Sequence, residues 1–332
     1  MRFRPVFTLV GVAVLLALTA TAATGGARDI VAEGSFDRTL KVTGPVDLQV
    51  ITGAGSISVH AGQAGTVQVH GTIRASTGWR LDHQEAQEKV RRLEANPPIG
   101  QDGNAIRIGH IDDEELRRNI SISYEIVVPA ETRLRSETGS GSQTIDGVHG
   151  PAEVSAGSGS LRISNIGAPV NASTGSGSIE LDGVQGGVNT STGSGHIRGR
   201  RIAGGFVGHT GSGGVQVEQT GTGNDEIETG SGGVEVRGVR GSLRVRTGSG
   251  GITAAGEPIG EWRLHTGSGN VTVRLPGQVA FDLHAHTSSG RIRTNHPVTV
   301  EGTISPREIR GKVRGGGHLV DVSTSSGSVE ID

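Results

Sequence analysis

A four-residue signature, Thr-Gly-Ser-Gly or a close variant, recurs from residue 138 onward and constrains the fold more than any other feature. Successive signatures start 18, 18, 18, 18, 19, 18, 19, 21 and 37 residues apart. A nearly fixed period of this size is typical of a solenoid, in which one repeat cannot bury its own apolar face and therefore stacks on its neighbour. The signatures begin at Thr138, Ala156, Thr174, Thr192, Thr210, Thr229, Thr247, Thr266, Thr287 and Thr324.

Apolar and polar residues alternate on both sides of each signature. Val170 and Ala172 precede Thr174, and Ile179 and Leu181 follow it. A period of 2 predicts strands with one buried face, and glycine suits the sharp corner between them. The sequence therefore predicts an all-β fold, a single-stranded parallel β-helix (β-solenoid) of about a dozen coils, each of ~18 residues with two short strands. The handedness of the solenoid stays open.

The outward positions of successive repeats form columns in which the sign of the charge partly alternates. Equivalent residues of stacked coils lie about 4.8 Å apart, so a column of like charges would be destabilising. We interpret these residues as a solvated, stabilising face. One such column, six residues after each signature threonine, contains Arg162, Glu180, Arg198, Gln216 and Glu235.

The N-terminal half follows the same pattern with one interruption. Residues 48–59 match one coil, and the pattern stops at about residue 75. Residues 82–95 place apolar side chains on one helical face before Pro97-Pro98, and strict alternation resumes at residues 120–128. We expect residues 28–332 to form a single solenoid domain with a helical and loop insertion at about residues 75–118.

Residues 1–22 have the pattern of a secretory signal peptide. Arg2 and Arg4 precede an apolar run over residues 6–20, and Ala20-Thr21-Ala22 offers a small-x-small cleavage site. The run is short for a membrane span, which needs about 20 residues. The mature chain is therefore expected to have no membrane span and to be exported, to the periplasm, the cell surface or the extracellular space.

Composition and charge exclude several classes of function. The chain has no cysteine, which excludes disulfides, thiolate metal sites and a catalytic thiol. Its formal net charge is −2, and loss of Arg2 and Arg4 with the leader makes it −4, so we expect no nucleic-acid partner. Where a calcium-binding β-roll needs aspartate, the repeats have residues such as Ile179. No cofactor is predicted.

These features together resemble one known family. They are the leader, the early coil, the helical interruption containing Asp-Gly-Asn-Ala-Ile-Arg-Ile-Gly at 102–109, the stretch Arg-Arg-Asn-Ile-Ser-Ile-Ser-Tyr-Glu-Ile-Val-Val-Pro at 117–129, and the Thr-Gly-Ser-Gly coils. The chain is similar to the putative-adhesin β-strand-repeat family of exported bacterial proteins, a domain of unknown function. The resemblance covers nearly all of the mature chain and implies the solenoid fold. It brings no catalytic residues with it.

Two groups of titratable residues are candidates for chemistry. His265, His284 and His286 are outward-facing in the predicted register and are candidate metal ligands if their coils are neighbours. His209 and Glu228 are a candidate acid–base pair. Because an open strand face lacks an enclosing pocket, an exposed polar ladder without a catalytic task is the favoured interpretation of both groups.

The sequence thus predicts a non-catalytic binding protein, adhesin-like, that presents a rigid polar face to a glycan or protein of the cell surface or envelope. A self-assembling structural solenoid is the first alternative, stacking end to end through an uncapped last coil at residues 328–332. A polysaccharide-cleaving β-helix enzyme is the second alternative, suggested by the acidic cluster Asp225, Glu226 and Glu228.

Overall fold

A computed structural model describes residues 30–76, 83–300 and 305–332. The predicted signal peptide at residues 1–22 lies outside them. The strands are β1 (Ile30–Lys41), β2 (Val46–Ala54), β3 (Ile57–Gly62), β4 (Thr66–Ser76), β5 (Ile99–Asp102), β6 (Ala105–Ile108), β7 (Ile120–Pro129), β8 (Thr132–Ser140), β9 (Gln143–Asp146), β10 (Ala152–Ala156), β11 (Leu161–Ile166), β12 (Val170–Thr174), β13 (Ile179–Val184), β14 (Val188–Thr192), β15 (Ile197–Ile202), β16 (Phe206–Thr210), β17 (Val215–Gln219), β18 (Asp225–Thr229), β19 (Val234–Arg240), β20 (Leu243–Ser249), β21 (Ile252–Glu257), β22 (Trp262–Ser268), β23 (Val271–Arg274), β24 (Phe281–Ser289), β25 (Ile292–Thr294), β26 (Val298–Val300), β27 (Glu308–Val313), β28 (His318–Ser326) and β29 (Val329–Ile331). The helices are α1 (His83–Ala95) and α2 (Glu114–Arg117).

The strands form two long, mainly parallel sheets, and the predicted all-β solenoid fold is confirmed. Sheet 1 has the order β1-β4-β7-β3-β9-β11-β13-β15-β17-β19-β21-β23-β29-β25. Sheet 2 has the order β26-β27-β24-β28-β22-β20-β18-β16-β14-β12-β10-β8-β2-β6-β5. Twelve coils contribute one strand to each sheet. With strands about 4.8 Å apart, the stack of coils is about 50 Å long.

The core is a narrow apolar layer between the two sheets. Equivalent residues stack in exact register, for example Val170 on Val188 in sheet 2 and Leu161 on Ile179 in sheet 1, and all four are buried. The largest fully buried side chains include those of Trp262, Tyr124, Phe206 and Phe281. The aromatic residues of the described chain are thus used for packing inside the solenoid and are not on its surface.

The signature threonines form a buried column that links each corner to the preceding coil. The Thr192 hydroxyl donates to the carbonyl oxygen of Gly177 at 2.8 Å and accepts from the N–H of Gly195 at 3.2 Å. The same contacts recur at Thr174 and Thr210. A small β-branched residue with one hydroxyl therefore satisfies two corner backbone groups that would otherwise be buried without partners.

Replacement of Thr192 by valine tests this linkage. Valine keeps the shape of threonine but leaves the Gly177 carbonyl and the Gly195 N–H without that partner, so we expect a loss of about 1–3 kcal/mol in the free energy of unfolding. Urea denaturation followed by circular dichroism measures the loss. The control is Ser191→Ala on the exposed side of the same strand, which should be nearly neutral. Equal unfolding midpoints for Thr192→Val and the natural protein would contradict the role of the hydroxyl.

The segment that interrupts the repeats contains a helix and a strand that belongs to a further coil. The helix predicted over residues 82–95 is α1, and its buried Ala86, Val90 and Leu93 pack it toward β1 and β4. The N–H of Ser35 on β1 donates to Glu94 Oε1 at 3.0 Å. Strand β6 pairs parallel with β2, with Leu48 opposite Ile106. Part of the predicted insertion therefore continues the stack of coils instead of lying outside it.

The order of coils in space departs from their order in the sequence at both ends of the solenoid. Strands β28 and β29 lie between β22–β23 on one side and β24–β25 on the other. Strands β2 and β3 likewise lie between β6–β7 and β8–β9. The coil β2–β3 is thus enclosed by two coils that follow it in the sequence, and the coil β28–β29 is enclosed by two coils that precede it.

The prediction that residues 328–332 form an uncapped terminal coil is therefore wrong. Strand β29 is paired on both sides, and the side chains of Val329 and Ile331 are 0% exposed. Antiparallel strands instead cover the two ends of sheet 2. At one end β27 pairs with β24 and β26 pairs with β27, and at the other end β5 pairs with β6. The contact predicted for end-to-end stacking is interior, because two neighbouring strands already occupy its hydrogen-bonding edges. Self-association through other surfaces stays a prediction.

Candidate functional site

The outer face of sheet 1 carries charges that neutralise one another. Arg162 lies 3.2 Å from Glu180, which also has Arg198 at 3.9 Å on its other side. Arg201 lies 2.9 Å from Asp182. Ion pairs this exposed stabilise by about 0–1 kcal/mol each. This geometry fits the interpretation of these columns as a solvated, stabilising face.

Hydrogen bonds stabilise the charged form of two further carboxylates. The Ser164 hydroxyl donates to Asp146 at 2.6 Å and, with the Asn165 amide at 2.9 Å, lowers the pKa of Asp146. Asp113, from the acidic run at residues 112–115, caps α2 and accepts from the N–H of Leu116 at 3.1 Å. That backbone hydrogen bond is the main cause of the lowered pKa of Asp113. Both carboxylates have structural partners, so neither is a free catalytic base.

The outer face of sheet 2 has a different distribution of charge toward its C-terminal end. Two equivalent outward positions are acidic on β18, basic on β20 and on β22, acidic and hydroxyl-bearing on β28, and occupied by histidine on β24. The outward pairs are Glu226 and Glu228 on β18, Arg244 and Arg246 on β20, Arg263 and His265 on β22, Asp321 and Ser323 on β28, and His284 and His286 on β24.

Arg244, Arg246, Arg263 and His265 form a cluster that we name the cationic patch. Arg244 lies directly opposite Arg263, and Arg246 lies opposite His265. These side chains, with Asp321 and Ser323 on β28, line a surface depression of about 480 Å³. The patch is the place on this face where two adjacent strands both present basic side chains at both outward positions.

The members of the cationic patch differ in their own partners. Arg263 pairs with Glu261 at 2.8 Å, and His265 Nδ1 lies 2.9 Å from the Ser323 hydroxyl. Arg244 and Arg246 make no hydrogen bond or ion pair with any residue that the structure describes. Two exposed guanidinium groups therefore have all their donors directed to solvent.

The structure separates the three histidines considered as metal ligands. Strand β28 lies between β22, which carries His265, and β24, which carries His284 and His286. His284 Nδ1 lies instead 2.9 Å from Asp321. Within residues 30–76, 83–300 and 305–332, the histidine and acidic side chains form no group of three that could hold a metal ion.

The candidate acid–base pair does come together. His209 Nδ1 and Glu228 Oε2 lie 3.7 Å apart on adjacent strands β16 and β18. Both side chains are exposed, 45% and 61% respectively. This contact is an open surface pair on a flat sheet face, without the enclosing pocket in which a substrate would be held against a catalytic acid or base.

The acidic cluster is divided between the two sides of the sheet. Glu226 and Glu228 point outward, whereas Asp225 occupies a core position and is 4% exposed. Its carboxylate accepts from the N–H of Phe206 at 2.9 Å and from the Gln219 amide at 2.5 Å. Burial nevertheless raises the pKa of Asp225 to about 7. A carboxyl inside the core cannot reach a polysaccharide, so the three acids do not form a cleaving site.

Sequence reasoning missed the cationic patch although the repeat contains the signal for it. Arg244 and Arg263 share one position in the repeat, three residues before Thr247 and Thr266 respectively. The column one residue before each threonine already includes Arg246 and His265. Reading both columns together would have placed four basic side chains on two adjacent strands.

The fold defines a parallel β-solenoid of two sheets, and the comparisons with known families agree with it. Residues 170–332 match the model of the family described as Toastrack DUF4097. The resemblance to a repeat family of unknown function is confirmed. The matched residues include the whole cationic patch. No curated protein matches the chain in sequence.

Several solved structures are similar to the chain at low identity. One is a "putative cell adhesion protein" from Clostridium sporogenes, with 11% identity, a TM-score of 0.22, and coverage of 90% of this chain and 99% of that one. Another is a "putative adhesin" from Bacteroides fragilis, with 12% identity, a TM-score of 0.30, and coverage of 90% and 97%. A third, from Parabacteroides distasonis, has 11% identity, the same TM-score and the same coverage. Likenesses this distant carry no argument about function.

Neither helix of the described chain is long and apolar enough to span a membrane.

Proposed function

We propose that the protein is an exported, non-catalytic solenoid that binds a macromolecule of the cell surface or envelope through an outer sheet face, in the manner of an adhesin. The observation that carries this proposal is the regularity of those faces. Twelve coils present outward side chains at fixed positions along about 50 Å. A partner of similar length can contact many coils at once.

The rigidity of the faces supports binding. Backbone hydrogen bonds join each strand to its neighbours, and the buried threonine column fixes each corner to the preceding coil. Binding to a rigid surface avoids the entropy cost of ordering flexible loops, which otherwise reduces affinity. The solenoid is thus organised for contact before any partner arrives.

The position of the titratable groups supports a role without catalysis. His209 and Glu228 lie on an open face, and Asp225 lies inside the core. Catalytic acids and bases act where water is excluded and charge is stabilised by preorganised groups. His209 and Glu228 are open to water, and Asp225 is out of reach of a substrate, so the positions of these groups favour binding over cleavage.

A sedimentation assay with isolated bacterial cell walls tests the proposal. Protein purified after expression of the full-length chain should pellet with the walls in a saturable way, and unlabelled protein should displace a fluorescent conjugate. The soluble fraction should contain no released reducing sugar. Absence of pelleting would contradict the binding role, and release of saccharide product would show that the protein is an enzyme. Serum albumin at the same concentration is the control for passive trapping.

A further inference from the structure

We infer that the cationic patch, formed by Arg244, Arg246, Arg263 and His265, is a binding site for an acidic polysaccharide. This inference rests on the proposed function, because it names the ligand class that the outer face of sheet 2 would take. It is carried by the like-charge register of the patch, by the absence of internal partners for two of its arginines, and by the surroundings of the patch.

The register of the patch is unfavourable for the isolated protein. Arg244 faces Arg263 directly across adjacent parallel strands, and like charges in this position destabilise a sheet. In other coils of the described chain, arginine faces glutamate at such positions, as where Arg162 faces Glu180 and Arg135 faces Glu153. An external anion that binds between the two arginines would remove the repulsion.

Arg263 is paired with Glu261, but among the described residues the neighbouring acids make no ion pair with Arg244 or Arg246. Glu226 opposes Arg244 and Glu228 opposes Arg246 in register, yet neither forms an ion pair with its arginine, and Glu228 lies 3.7 Å from His209 on the other side. Asp321 opposes Arg263, yet it lies 2.9 Å from His284. The exposed guanidinium groups of Arg244 and Arg246 therefore remain available for charge-assisted hydrogen bonds to carboxylate or sulfate oxygens.

The flat shape of the patch favours a polymer over a single small anion. Each of two strands presents two basic side chains, three arginines and one histidine in all, about 6.6 Å apart along the strand and about 4.8 Å across to the next strand. No wall encloses them as in a phosphate pocket, because they line an open depression of about 480 Å³. A chain with repeated anionic groups can contact several of them at once, and its affinity grows with the number of contacts.

The surroundings of the patch also limit the direction of the polymer. The acidic strand β18 lies on one side, with Glu226 and Glu228, and Asp321 on β28 lies on the other. An anionic chain running along the solenoid axis would be repelled by these carboxylates within one or two strand spacings. The favourable path therefore runs along β20 and β22, parallel to the strands.

Other macromolecules fit the patch less well. A neutral glycan usually stacks on exposed aromatic rings, and a protein interface is built around aromatic and apolar side chains. The aromatic residues that the structure describes, Phe36, Tyr124, Phe206, Trp262 and Phe281, are all buried. A nucleic acid would require a more extended basic surface than two strands flanked by acids. Charge is the main recognition chemistry that this face offers.

Titration calorimetry with defined polymers tests the inference. The probes are polygalacturonate, which carries carboxylates, dextran sulfate, which carries sulfates, and neutral dextran. We expect the natural protein to bind at least one acidic polymer and not dextran, with an affinity that falls as salt rises. Binding of polygalacturonate alone identifies a carboxylate ligand, and binding of dextran sulfate alone identifies a sulfate ligand.

The variant Arg244→Gln with Arg246→Gln should weaken that binding at least tenfold and make it less sensitive to salt. The matched control, Arg162→Gln with Arg198→Gln on sheet 1, has the same change in net charge and should bind within twofold of the natural protein. Both variants should retain the β-sheet circular dichroism spectrum, which shows that each has folded.

Three results would overturn the inference. They are binding of neither acidic polymer by the natural protein, equal binding of dextran, and equal losses in the two double variants. If the protein pellets with cell walls yet binds neither acidic polymer, the proposed function stands and only the patch assignment is wrong. If it binds an acidic polymer yet does not pellet with walls, the proposed cell-envelope role is wrong and the patch remains a polyanion site.

Discussion

Replacement of Gly195 by alanine should destabilise the solenoid by about 3 kcal/mol or more, an unusually large effect for one methyl group. Gly195 is the second glycine of its Thr-Gly-Ser-Gly corner. A Cβ atom there would overlap the carbonyl group of Gly177 in the preceding coil, well inside the 3.0 Å that real Cβ atoms respect. The obstacle is corner backbone held between β12 of one sheet and β13 of the other, so relief requires the coils to move apart.

The matched control is Gly187→Ala in the same coil. The nearest atom to a Cβ at Gly187 is the carbonyl oxygen of Gly205 at 3.7 Å, an ordinary contact. Thermal and urea unfolding of the two variants should therefore separate widely, with Gly187→Ala close to the natural protein. Equal stability of the two variants would show that the corners tolerate a side chain and that the spacing of the coils does not depend on this glycine.

The second large effect concerns the pH dependence of stability and comes from Asp225. Its pKa is raised from 3.8 to about 7 by burial, so the folded protein retains a proton that the unfolded chain releases near pH 4. The contribution of Asp225 to stability therefore falls as pH rises from about 4 to about 7 and is level outside this window. One pKa unit corresponds to 1.36 kcal/mol, which makes the loss about 4 kcal/mol.

Asp225→Asn should remove this dependence. Asparagine keeps an oxygen for the Phe206 N–H and the Gln219 amide but has no proton to lose. The free energy of unfolding of the variant, measured by urea denaturation at pH 4.5, 6 and 8, should rise relative to the natural protein with each step. Glu226→Gln, next in the chain and exposed, should follow the natural protein at all three values. Parallel curves for Asp225→Asn and the natural protein would contradict a raised pKa.

The repeat pattern predicts most of the solenoid because local and long-range preferences agree in it. The alternation that predicts the strands also predicts which side chains are buried. Asp225 stands four residues before Thr229, as Val170 does before Thr174, and both lie on the inner face. The helix over residues 82–95 follows from one apolar face with Ala86, Val90 and Leu93. These features depend on the periodicity of one segment at a time, which a single sequence contains.

The order of neighbours could not be predicted in the same way. Each coil offers the same register of threonine, glycine and aliphatic residues, so β24 and β28 fit on β22 equally well by pattern. The long interval from Thr287 to Thr324 is compatible with either order. The interpretation of His265 and His286 as neighbours failed for this reason, since Ser323 stands between them. The cationic patch could have been predicted from the sequence, because β20 and β22 belong to consecutive coils of the chain and are also neighbours in the sheet.

The enclosed coils have different consequences for synthesis at the two ends of the solenoid. At the N-terminal end, β2 and β3 are made first, and the coils on either side can add to them as they emerge. At the C-terminal end, β28 and β29 are made last but lie between two coils made earlier. The coil β24–β25 has its final place beside β28–β29, one coil away from β22–β23, so it cannot take that place while the chain grows. It must wait for, or separate to admit, the segment from His318 to Ile331. Folding in step with synthesis is possible up to β23, and the last two coils have to assemble together.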